Sequence, residues 1–130
     1  MRNYQYHKNN PYWLPHNVYM QVLYAVRDYD RLRAEYLNII NETPSPDGAP
    51  GNPNPGDSTA QKAIRALSIS NEIDHIERAL EKIPQEYRTG VFNNIRYRVN
   101  FPINVPAHRN TWSNWRRRFL YFVAKNKKLA

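Results

Sequence analysis

Asn110-Thr-Trp-Ser-Asn-Trp-Arg-Arg-Arg-Phe-Leu-Tyr-Phe-Val-Ala-Lys-Asn126 reads as one amphipathic helix, and its reading sets the fold class. At about 100° per residue, Trp112, Trp115, Phe119, Phe122 and Val123 fall in one sector roughly 100° wide, which makes that sector the buried face. Asn110 stands at the N-cap position, where its side chain can accept a backbone N–H. The opposite side carries Asn110, Asn114, Arg117, Arg118, Tyr121 and Lys125 and holds no carboxylate. Arg116 falls at the edge of the apolar sector, with its stem over Trp112 and its head reaching phosphate.

Working outward, the segment before this helix, Asn100 to His108, contains Pro102 and Pro106 and is expected to be a loop or broken turn. Pro84 suits the first turn of a helix in which Tyr87, Val91, Ile95 and Val99 step by four, with Gly90 inside it as either a close-approach point or a local weakness. Two longer helices precede it. Asn17 caps the first, over about 17–41, whose stripe runs through Val18, Tyr19, Val22, Val26, Tyr29, Tyr36, Leu37 and Ile40. Asp57 or Ser58 caps the second, over about 58–83, with Ile64, Leu67, Ile73, Ile76, Leu80 and Ile83 in register. Between them the segment 43–57 holds five of the ten prolines and three of the four glycines, a loop long enough for parallel or antiparallel packing. The expectation is an all-α protein. It has a leader at 1–16, a coiled-coil-like helical hairpin at 17–83 that pairs within one chain or between two, and a basic helix pair at 84–130.

The charge separates along the same boundary. The first 86 residues carry 9 basic and 11 acidic residues, the remaining 44 carry 10 basic and none acidic, and the net charge is +8. A compact cationic segment without carboxylates repels itself, and a polyanionic partner relieves that repulsion. A solvated cationic face that serves solubility is the plainer alternative.

The residue types on the last helix suit nucleic acid: arginine forks onto guanine or phosphate, asparagine pairs with adenine, and lysine meets phosphate as a point charge. Arg96, Arg98 and Arg109 widen this surface, and Lys127 and Lys128 extend it as a tail. The aromatic residues of the stripe belong to the core, which leaves Tyr121 as the candidate for base stacking.

No catalytic residues are expected. With no cysteine, and with His7, His16, His75 and His108 scattered, no metal site is expected and no cofactor is called for. Asp74, Glu77 and Glu81 read as one exposed face of a helix, while Asp28 and Asp30 diverge by their spacing. No apolar run approaches a membrane span, and Met1 to Asn10 does not read as a secretory signal, so the expected location is cytoplasmic, with no membrane partner.

The runs Ile76-Glu-Arg-Ala-Leu-Glu-Lys-Ile-Pro-Gln-Glu-Tyr-Arg88, Val91-Phe-Asn-Asn-Ile-Arg-Tyr-Arg98 and Asn110 to Ala124 resemble the C-terminal part of prophage late-gene activators of the RinA and ArpU type, which look like region 4 of bacterial sigma factors. Ile83-Pro84 matches the opening, Asn110 to Arg118 the recognition helix, and Phe119 to Ala124 its apolar continuation. The leader Tyr6 to Tyr12 with the long first helix also looks like phage and prophage proteins of Gram-positive bacteria. The resemblance implies a DNA-binding regulator of transcription with a helix-turn-helix-like C-terminal part, with RNA polymerase as a further partner and the hairpin as a homo-oligomer interface. One departure is plain: Asn100 to His108 occupies the place of the scaffold helix of a helix-turn-helix. Two other readings stand beside it. One is a non-enzymatic module that binds an acidic host or phage protein, and the other is a DNA-packaging component.

Overall fold

The computed structural model describes residues 10–41, 59–105 and 107–130. The expected linker at 43–57, the caps Asp57 and Ser58, His7 and most of the leader lie outside the described residues. Within them the chain is all-helical: α1 (His16–Arg27), α2 (Tyr29–Ile40), α3 (Thr59–Glu81), α4 (Gln85–Tyr97) and α5 (Arg109–Asn126).

The first long helix is broken once. The N–H of Asp28 is shared between the carbonyls of Tyr24 at 3.0 Å and Ala25 at 3.2 Å, a local tightening of the 3₁₀ kind that divides α1 from α2. This helix starts at His16 behind Pro15, with no side-chain cap, so Asn17 is not its N-cap. Proline suits this boundary because it has no N–H to satisfy.

The division redirects the packing. α1 lies against α4 and α5, whereas α2 runs against α3, so the expected hairpin over 17–83 does not stand as a unit apart from the basic helix pair. Tyr29 donates to Glu77 at 2.6 Å near the start of α2, and Glu35, farther along, meets Arg65 at 3.9 Å near the start of α3. α2 and α3 are therefore antiparallel. α3 and α5 are also antiparallel: Lys82 lies over the Phe122 ring, Asn126 donates to the His75 carbonyl at 2.9 Å, and Lys127 pairs with Glu72.

The core joins Leu14, Tyr19, Val22, Leu23 and Val26 to Tyr29 of α2, Ile76, Ala79 and Ile83 of α3 and its end, Val91 and Ile95 of α4, and Trp112, Phe119, Leu120 and Val123 of α5. Burying each such large side chain contributes on the order of 2 kcal/mol, which ties all five helices to one cluster. Leu14, expected in a separate leader, is 1% exposed and belongs to this core. By contrast Leu37, Ile40, Ile64 and Leu67, expected on the buried stripe, are 43–68% exposed. They sit at the end of the α2–α3 pair away from α5, where no described element covers them.

Gly90 is a close-approach point. A Cβ there would lie 2.7 Å from Pro102 Cδ and 2.7 Å from the Trp112 ring. The 98–105 segment folds back over this spot, and Phe101 stacks on Trp112 with centroids 5.2 Å apart. No helix forms between α4 and α5 among the described residues, so the pair lacks the scaffold helix of a helix-turn-helix.

Candidate nucleic-acid interface

α5 is turned relative to the sequence reading. Its fully buried residues are Trp112, Phe119, Leu120, Val123 and Ala124, and Trp115 and Phe122 are only half-buried. On the helical wheel the buried arc shifts by roughly a quarter turn toward Leu120, which brings Arg116 from the edge of the apolar face to near its centre. The position is tolerated because the guanidinium finds polar partners: Nε donates to Asn94 Oδ1 at 3.0 Å and Nη1 to the Tyr19 hydroxyl at 3.0 Å. Asn94, 2% exposed, in turn donates to the Val99 carbonyl at 2.8 Å and so ties α4, α5 and the loop together. Arg116 is thus a structural strut, with Nη2 buried and unpartnered. Asn94 was absent from the sequence reading, although a polar residue three positions after Val91, beside the apolar stripe, is a signal for such a strut.

Arg96 is likewise held inside the fold. It pairs with Asp30 at 2.7 Å, donates to Asn93 at 2.9 Å, and lies 3.8 Å from the Phe92 ring centroid. Tyr97 donates to the other Asp30 oxygen at 2.5 Å. That hydroxyl, with the Arg96 charge, holds the Asp30 carboxyl below the usual carboxylate range, while burial opposes the shift. Lys127, expected in a free tail, is paired with Glu72.

The other members of the expected face remain on the outside. Asn110, Asn114 and Lys125 are exposed, as are Arg98 and Arg109 beyond the helix body. Arg117, half-exposed, donates to Asn114 at 2.9 Å, so the two present one joined polar group. Arg118 is held between the Tyr12 ring at 5.1 Å and the Trp115 ring at 4.8 Å. Tyr121 is half-buried, with Tyr12 edge-on at 5.4 Å and Lys125 at 5.7 Å, so the leader covers part of the ring expected to stack on bases. Asn110 is not the cap. The N-cap is His108, whose Nδ1 accepts from the Asn110 N–H at 3.0 Å, so the Asn110 side chain takes no part in capping.

Compensation divides the cations into two sets. Arg31, Arg33, Arg65, Arg78 and Arg96 each meet a carboxylate, and Arg98, Arg109, Arg117 and Arg118 meet none among the described residues. Asp74 and Glu77, expected on one exposed face of the helix, are engaged by Arg78 and by Tyr29 and Arg33. No described helix is long and apolar enough to cross a membrane. No protein-family model matches the chain, and no curated protein or solved structure is significantly similar to it.

Proposed function

We propose that the chain binds double-stranded DNA through the outer face of α5 and acts as a regulator of transcription of the prophage type. Asn110, Asn114 and Arg117 face base edges, and Arg98, Arg109, Arg118 and Lys125 face phosphates. The observation that carries the reading is the uncompensated charge of this face: its arginines meet no carboxylate among the described residues, whereas those beside α2 and α3 do. Arg96 and Arg116 are left out of the contact set because the fold already uses them. The Asn114–Arg117 pair is the part that reads sequence, since the asparagine amide carries a donor and an acceptor and the guanidinium a fork of donors suited to base edges, while isolated cations position the duplex without reading it.

A second element of the proposal is self-association. Leu37, Ile40, Ile64 and Leu67 form an apolar end on α2 and α3, and a second copy seated there would present two α5 faces to one duplex.

The test is selection of preferred duplexes from a random pool by the wild type and by N114A/R117A. The expected result is an enriched motif for the wild type and a flattened one for the double variant, with salt-dependent binding retained. An unchanged motif in N114A/R117A contradicts the assignment.

A further inference from the structure

Three arginines from three elements meet at the C-terminal turn of α4. Arg27, the last residue of α1, donates from Nε to the Ile95 carbonyl at 3.2 Å. Arg116 reaches the same turn from α5 through Asn94. Arg98 ends α4 as a left-handed C-cap with φ 57° and is exposed. None of the three meets a carboxylate among the described residues. Their nearness is felt at Arg27: burial first, then the charges of Arg98 and Arg116, lower its pKa from the ordinary arginine value.

The carbonyl end of α4 opposes this cluster with only about half an elementary charge. Three guanidinium groups therefore retain a large positive excess in a small space. The Arg116 Nη2 atom is buried with no partner, so part of that charge is shielded from water. Arg27 is half-buried and Arg98 exposed, and both are open to a ligand from outside. Planar guanidinium forks match the oxygen spacing of phosphate better than an ammonium group does.

We propose that Arg27 and Arg98 form a seat for one phosphate group, to which the structurally engaged Arg116 adds charge without contacting the ligand. The seat rests on the reading of α5 as a duplex-binding helix, in which case the phosphate belongs to the DNA backbone. The same chemistry accepts a free phosphate, and the experiment separates the two sources.

The experiment is fluorescence anisotropy of a labelled random duplex titrated with the full chain at salt concentrations between about 50 and 200 mM. The variants are R98Q, R27Q and, as a control that removes one equal charge from α3, R78Q. Arg98 is exposed and makes no hydrogen bond among the described residues, so R98Q leaves the fold undisturbed. The expected result is a slope of log affinity against log salt reduced by about 1 in R98Q and in R27Q but not in R78Q. Unchanged slopes in R98Q and R27Q overturn the seat and remove Arg98 from the phosphate contacts, while the α5 reading stands on Arg109, Arg117, Arg118 and Lys125. If the wild type binds no duplex, the α5 reading fails, and inorganic phosphate against chloride at equal ionic strength decides the seat. A rise in melting temperature with phosphate that is lost in R98Q upholds the seat as a site for a free phosphate, and no rise overturns it.

Discussion

Asn94 and Arg116 show how one buried polar pair sets the register of an element. Asn94 receives Arg116 and donates to Val99, so truncating it leaves a guanidinium nitrogen and a carbonyl without partners in a nearly water-free place. Asn94→Ala is expected to lower unfolding free energy by about 1–3 kcal/mol, measured by urea denaturation. Arg117→Ala, on the outer face, is expected to change it by less than about 0.5 kcal/mol. Equal effects of the two variants contradict the strut. Asp30 gives a prediction with a sign. Its carboxyl is held below the usual range when folded, so its contribution is present above the unfolded value of about 4 and is lost as pH falls through the lowered folded value. The Asp30 side chain is half-exposed, which screens the pair and limits it to about 1 kcal/mol or less. The melting temperature of Asp30→Asn is expected to lie below that of the wild type at pH 6 and to approach it as the pH falls below the ordinary carboxylate range; a gap that stays unchanged on acidification rules the pair out.

At the scale of elements, Gly90 decides how closely the 98–105 segment and Trp112 approach α4. Alanine would add about 1 kcal/mol of helix propensity, but its Cβ meets Pro102 and the indole at 2.7 Å. The overlap involves a proline ring and a packed indole rather than the end of a flexible chain. Gly90→Ala is therefore expected to destabilise by about 1–3 kcal/mol in spite of the propensity gain, and a more stable variant shows that the packing yields. The helices themselves were legible in the sequence, because period and proline placement bracket α3, α4 and α5 to within a few residues. The faces were less so. The α5 wheel misplaced Arg116 because a wheel scores an arginine as outward, and nothing local records that Asn94 and Tyr19, 22 and 97 residues away, supply its partners. The break at Asp28 escaped for a similar reason: the apolar stripe of 17–41 continues through it, and the shared N–H is a backbone event. His108 was passed over as a cap because caps are sought among serine, threonine, aspartate and asparagine. Of the candidate site, the residues whose role depends only on facing outward were readable, while Arg27, Arg96 and Arg116 depend on contacts between elements.

At the scale of the whole molecule, the carboxylates of the first two-thirds compensate arginines along α2 and α3 and, through Asp30 and Glu72, reach Arg96 and Lys127. The remaining positive charge concentrates on the outer side of α5 and at the end of α4. The apolar end of α2 and α3 lies elsewhere, so the proposed self-association and the proposed duplex binding would use separate surfaces. Sedimentation equilibrium is expected to show a mass near twice 15.5 kDa, reduced to the monomer by Leu67→Glu with Ile64→Glu. A monomeric wild type removes the second copy from the account without touching the α5 face. The central claim is that this face meets polyanionic duplex. Its most direct measurement is anisotropy of a labelled random-sequence duplex with the wild type alone, between about 50 and 200 mM salt. The account expects binding at the low end that weakens steeply with salt, because several phosphates release their counterions together. No binding at about 50 mM contradicts it.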